Sequence, residues 1–395
     1  MLQIDRSAPI PPDRNALLFL GFRPFFLLAG IAAIALIAVW LPHYYGPLPL
    51  NDHFAPVGWH GHEMLFGYAV AVIAGFLLTA VRNWTGQPMP TGWKLGVLVL
   101  IWLAGRILVS LDLGQPDWLT AAIDCAFLPA VMVALAPALI RAGKLRNMAF
   151  LVILAALTGA NLLMHQQALG EGKLGAAGLQ AGLSLVILVI VVMGGRVIPF
   201  FTRNPLPAME PKIRPWVEFL AIALVIATLL GDLFALPPLL LAPLALVAGL
   251  VQLIRLSGWY DRRIWARPII WVLHVAYAWI GIGFLLKAAA LWQWVSPLAP
   301  THAFTVGGIG LITLGMMGRV ALGHTGRPLE LPKLTVFAII LIAAMAPVRV
   351  LASLAPAWAD PLLGLSALGW MLAFFGFVIP YTPILARPRI DGRPG

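Results

Sequence analysis

Charge is scarce in this 395-residue chain. Only 10% of its residues are Asp, Glu, Lys or Arg, against about 25% in an average soluble domain. Hydrophobic residues make up 61%. A water-soluble fold of this length could not cover its surface with so few charges, and the same composition excludes disorder or a fibrous repeat. Cysteine is nearly absent. The single Cys125, inside an apolar run, excludes an intramolecular disulfide and any Cys-x-x-Cys-His attachment of a c-type haem. The residues up to Asn15 hold two Arg, two Asp and three Pro. No apolar stretch with a small-residue cleavage site follows, so no cleaved signal peptide is expected. Carboxylates are missing from the middle of the apolar runs, which leaves no evident proton relay across a bilayer.

What the chain has instead is a series of long apolar runs. Lipid offers no partners to backbone polar groups, so spanning a bilayer takes a helix of about 20 mostly apolar residues. Twelve segments qualify: 20–41, 59–81, 92–111, 118–141, 146–168, 176–200, 214–234, 236–256, 269–291, 301–322, 333–354 and 362–386. The basic residues sort by side. Of 26 Lys and Arg, 22 fall on the side of the N-terminus, and Lys173, Lys287 and Arg349 fall on the other. The last, Arg106, lies within the third run. Basic residues concentrate in cytoplasmic loops, so both termini are expected in the cytoplasm. The net charge of +11 then reflects membrane orientation and not nucleic-acid binding. The expected architecture is all-α and polytopic. It comprises one integral-membrane domain over 1–395, with short cytoplasmic tails at 1–19 and 387–395.

Three runs end alike: Arg82-Asn83-Trp84-Thr85-Gly86, then Gly195-Arg196-Val197 leading to Phe201-Thr202-Arg203, then Gly318-Arg319-Val320 leading to Thr325-Gly326. They lie four runs apart, as three four-helix units would place them. Basic, turn-rich inner ends common to any such chain are the alternative.

Eight histidines carry most of the available chemistry. Imidazole is the commonest metal and haem ligand. His60, His62, His165 and His302 fall in the outer ends of runs 2, 5 and 10, each within about one turn of the surface. Aligning Thr85 with Thr325 puts His62 level with His302, and Leu179 in the sixth run at the same depth. Two imidazoles level on two helices suit the axial ligation of a b-type haem, or they bond loop carbonyls as ordinary interfacial histidines. His60 faces about 200° away from His62, so it caps the helix or serves a second metal. Asn161 and His165 share a helix face, as a ligand with its orienting partner or as an interhelical pair. Arg106 either pairs with Asp124 on the next helix or binds a haem propionate. Glu63 reads as a carboxylate favoured at a helix N-terminus, and His274 as an interhelical histidine.

Specific stretches carry a family resemblance. Gly21-Phe22-Arg23-Pro24-Phe25-Phe26-Leu27, Trp59-His60-Gly61-His62-Glu63-Met64, Gly195-Arg196-Val197-Ile198-Pro199 and Gly323-His324-Thr325-Gly326-Arg327 resemble the NnrS family over nearly the whole chain. That resemblance implies a bacterial inner-membrane protein that contains haem and copper and is linked to nitric oxide metabolism and nitrosative stress. The matching histidines are His60, His62 and His302. The twelve runs also resemble haem–copper oxidase subunits in architecture, although no tight His-His motif is present.

The resulting expectation is a haem held near the periplasmic face by His62 and His302, with Arg106 near a propionate. A second metal, if present, would use His60 and His165, and the resemblance implies copper without saying which histidines hold it. The expected partners are the lipid bilayer, nitric oxide or another small diatomic ligand, and a quinol or other electron donor, without nucleic acid. Three functions compete: a haem-dependent oxidoreductase acting on nitric oxide or quinol, a non-catalytic sensor or sink, and a twelve-helix transporter. The scarcity of midplane charge weighs against the last.

Overall fold

The computed structural model describes residues 15–393, apart from 47, 144, 171, 173 and 207. Most of the expected N-terminal tail, together with Arg6, Arg14, Lys144 and Lys173, therefore lies outside the described residues. The twelve expected runs are twelve helices long and apolar enough to cross a membrane. We number them α1 (Phe22–Tyr44), α2 (Pro56–Thr85), α3 (Trp93–Ser110), α4 (Asp117–Ala142), α5 (Leu145–Ala168), α6 (Gly175–Arg203), α7 (Pro215–Leu233), α8 (Pro238–Ser257), α9 (Pro268–Leu291), α10 (Leu298–His324), α11 (Lys333–Leu354) and α12 (Pro356–Ala386). Among the described residues there is no strand. The chain is an all-α, multi-pass membrane protein.

Local chemistry sets the ends. Proline, which lacks the N–H that a first helical turn leaves unused, opens α2, α7, α8 and α9. Left-handed glycines, Gly86 and Gly143, close α2 and α4. The buried Arg23 donates from Nη1 to the carbonyls of Leu385 (2.8 Å) and Arg387 (2.7 Å) at the end of α12. A cation there also suits the negative end of the helix dipole. Trp370 Nε1 donates to Ala33 O (2.9 Å), so the last helix is stitched to the first. On the same side, Arg389 donates to His324 O (2.9 Å) at the end of α10.

Burial follows a period of four. The buried share of the apolar stretch is 89% in α2, 67% in α6 and 83% in α10, higher than in any other helix. Each of these inner helices packs against its chain neighbours, and α6 touches both α2 and α10. This is the arrangement three four-helix units would give.

A second correspondence ties α2 to α10. Each breaks its regular winding once, in a π-helical segment: Glu63–Ala69 in α2 and Ala303–Gly310 in α10. Both segments begin at the residue after a histidine, His62 and His302, and the offset aligning those histidines also aligns the segment starts. π-Helical turns are rare and concentrate at functional sites.

Candidate functional site

Two polar places lie at the end of the bundle where α2 and α10 begin, on opposite faces of α2. Toward α3, α4 and α5 is a buried cluster. His62 contributes one ring from α2, Asp124 comes from α4, and Asn161 and His165 come from α5, all buried. His62 Nε2 lies 3.1 Å from Asp124 Oδ2 and 2.9 Å from Asn161 Oδ1. His165 Nε2 lies 3.0 Å from the same Asp124 oxygen, and Asn161 Nδ2 donates to it at 2.8 Å. Arg106 of α3 spans the two carboxylates, donating to Glu63 Oε1 (2.9 Å) and to Asp124 Oδ1.

The loop before α2 closes the cluster. Asn51 anchors it to the end of α3, donating to Leu108 O (2.8 Å). His53 then reaches inward, with Nε2 2.8 Å from His165 Nδ1, while its Nδ1 donates to Asp117 Oδ1 (2.8 Å). The Phe54 ring covers the centre, 4.7 Å from the His62 ring and 5.2 Å from that of His165. Glycine makes room. A Cβ on Gly67 would sit 2.8 Å from Arg106 Nη1, and one on Gly105 would sit 2.7 Å from Asp124 Oδ1 and 3.2 Å from Asp124 Cα. Gly105 is therefore the point where α3 comes close enough to α4 for Arg106 to reach Asp124. Gly105→Ala is expected to destabilise the protein by about 1–3 kcal/mol, read as earlier thermal unfolding in detergent. Gly159→Ala, where a Cβ meets nothing within 4 Å, should not destabilise.

On the other face of α2 is a mainly apolar cavity of about 300 Å³ between α1, α2, α6, α10, α11 and α12. That is the small end of the roughly 300–1,000 Å³ range of ligand sites. His60, His302, Arg349 and Gln180 are among its polar walls, and Leu183 and Trp370 among its apolar ones. His60 stacks on Trp40 at 4.1 Å, and its Nδ1 is buried without a hydrogen-bond partner. His302 Nδ1 donates to Leu298 O at 2.8 Å. That bond fixes the tautomer in which Nε2 carries the free lone pair. Tyr68 lies below, its hydroxyl bonded to Thr313.

These positions set the residues of the expected pairing apart. His62 and His302 are not brought to one site: both nitrogens of His62 are engaged in the cluster, and His60 stands beside His302 in the cavity. His165 joins His62 and not His60. Arg106 takes the ion-pair role, and Arg349 is the cation on the cavity wall. The reason is azimuth. Counting residues along a helix gives depth, whereas α2 is an inner helix with neighbours on every side, so residues two apart enter different sites. His274 is a buried, satisfied histidine: its Nδ1 lies 3.2 Å from Ile270 O of its own helix, and its Nε2 lies 3.3 Å from Trp259 O in the loop before α9 and 3.5 Å from Thr202 Oγ1 of α6, the contact between helices.

Sequence reasoning missed His53, Glu63 as an ion-pair partner, and Arg349. Arg349 had a signal, being one of three basic residues on the side that basic residues avoid. His53 had none, because its role depends on where its loop folds back.

Comparison with curated proteins gives no match. The model of the family described as NnrS protein matches residues 16–389, nearly the whole chain, and the chain belongs to the NnrS family.

Proposed function

We propose that this protein of the bacterial inner membrane acts in nitric oxide metabolism or nitrosative-stress protection through a b-type haem near the periplasmic face. The haem would sit in the cavity between α2 and α10. Membership of the NnrS family supports a membrane protein related to nitric oxide. The observation that carries the haem reading is His302. Its Nδ1 is held by a backbone carbonyl and it lines an apolar cavity, the arrangement in which an imidazole ligates metal through Nε2. His60, with its unpartnered buried nitrogen, offers a second imidazole in the same cavity. Two nitrogen ligands of this kind fit a b-type haem.

When bound, the haem would supply an iron that takes a small diatomic ligand where one of the two imidazoles gives way. The chain's own residues supply the rest. Trp40 fixes the plane of the His60 ring by stacking. Arg349 matches a propionate carboxylate, since a guanidinium presents paired donors. Leu183 and Trp370 keep the cavity apolar. The polar cluster across α2 offers nitrogen and oxygen donors without sulfur, which disfavours cuprous copper there.

The test is anaerobic stopped-flow mixing of the reduced, purified protein with nitric oxide. A haem spectrum that changes on mixing is the expected result. Loss of one nitric oxide per haem marks a sink, and repeated turnover with an electron donor marks an oxidoreductase. A reduced protein without a Soret band, or one whose band ignores nitric oxide, overturns the proposal.

A further inference from the structure

The polar cluster beside α2 presents lone pairs to one another where hydrogen bonds would need protons. Tautomers follow from the outer partners. Glu63 Oε1 accepts from Arg106 and is therefore a carboxylate, so His62 Nδ1, 3.0 Å away, carries the proton and donates to it. His62 Nε2 is then a bare lone pair, yet it faces Asp124 Oδ2 at 3.1 Å and Asn161 Oδ1 at 2.9 Å, both acceptors. The second imidazole repeats the pattern. His53 Nδ1 donates to Asp117, so His53 Nε2 accepts from His165 Nδ1, and His165 Nε2 is left bare 3.0 Å from Asp124 Oδ2. Two imidazole nitrogens, a carboxylate oxygen and an amide oxygen thus converge on one point. The nearest ligand atoms of His62, Asp124 and His165 lie within 4.8 Å of one another. Such an arrangement is repulsive unless a cation occupies it.

Charge points the same way. The buried Glu63 and Asp124 carry two negative charges against the single guanidinium of Arg106, while Asp117 is half exposed to solvent. One positive charge is missing from the buried part of the network, where uncompensated charge is costly. A single imidazolium would supply it but would leave the other ring's Nε2 lone pair against Asp124 Oδ2. A metal cation answers both lone pairs at the point where they meet.

We infer that His62, His165 and Asp124, with Asn161 as a fourth donor, bind one divalent transition-metal cation, separate from the haem cavity. Two imidazoles and a carboxylate suit zinc or ferrous iron. A tetrahedral ion with bonds of about 2.0–2.2 Å holds its donors about 3.3–3.6 Å apart. The site therefore accepts it by opening a few tenths of an ångström. Glu63 on His62 and His53 on His165 are outer partners that orient each ring for the metal, and Asp117 extends the second chain to the surface. The buried Glu63 Oε2, which has no partner, leaves that carboxylate free to adjust.

Metal analysis of the full-length protein in detergent, before and after equilibration with Zn²⁺ and removal of excess, tests the site alongside the Soret band. The expected result is one non-haem divalent ion per chain. His165→Gln should lose it, and His53→Gln should weaken Zn²⁺ binding about 10–100-fold, both with the Soret band unchanged. Wild-type protein that holds no metal beyond haem iron after Zn²⁺ equilibration overturns the inference. So do a folded His165→Gln protein with the wild-type stoichiometry and, where that variant fails to fold, a His53→Gln protein with wild-type Zn²⁺ affinity. Because the metal count and the Soret band are separate readouts, a missing haem leaves this inference standing, and a missing second metal leaves the haem proposal standing.

Discussion

His302→Ala is expected to abolish or strongly shift the Soret band of the purified protein, because it removes the imidazole whose Nδ1 is already committed to Leu298 O and whose Nε2 serves the cavity. His60→Ala should shift the band as well, through loss of the second imidazole. His43→Ala should leave it unchanged, since that ring bonds Leu48 O through Nδ1 and does not line the cavity. The informative contrast is His62→Ala. A haem held by His60 and His302 keeps its spectrum in this variant, whereas a haem held by His62 and His302 loses it. Absorption spectra of the four folded variants decide between the two pairings. Wild-type spectra in both His60→Ala and His302→Ala would remove haem ligation from the cavity altogether.

Arg106→Met is expected to destabilise the protein strongly. The guanidinium holds Glu63 and Asp124, and all three side chains are at least nearly nine-tenths buried. Removing one partner of a buried ion pair costs about 3–5 kcal/mol, because the charges left behind cannot be solvated. Thermal unfolding in detergent should therefore occur well below the wild-type temperature. Adding Glu63→Gln to Arg106→Met should recover part of the loss, since one of the two stranded charges is then neutral. An Arg106→Met protein as stable as wild type would show that the network is compensated elsewhere.

Much of the architecture was legible in the sequence because a bilayer imposes length and polarity on every span independently of its neighbours. The expected runs and the observed helices differ by at most about four residues at their ends once the short 3-10 turn opening α12, Pro356–Trp358, is set aside. The register that levels His62 with His302 also aligns the π-helical segments that follow them. The site was legible only as a set of residue types at one end of the bundle. His60 and His62 could be separated by face, but nothing in the spacing said which of them met His302 and which met His165. The roles of Arg106 and Arg349 depended on which helices pack side by side.

Hydropathy, the rise per residue and the turn residues at helix ends determined the number of spans, their limits and the level of each histidine, all properties of a helix taken alone. Tertiary packing decided what each side chain faces. The inner position of α2, with the cavity on one side and the Asp124 cluster on the other, sends two histidines of one short motif to two sites. The fold-back of residues 51–54 brings His53 to His165. Both outcomes depend on rotation about the helix axis and on contacts between segments far apart in the chain, quantities that a single helix does not carry.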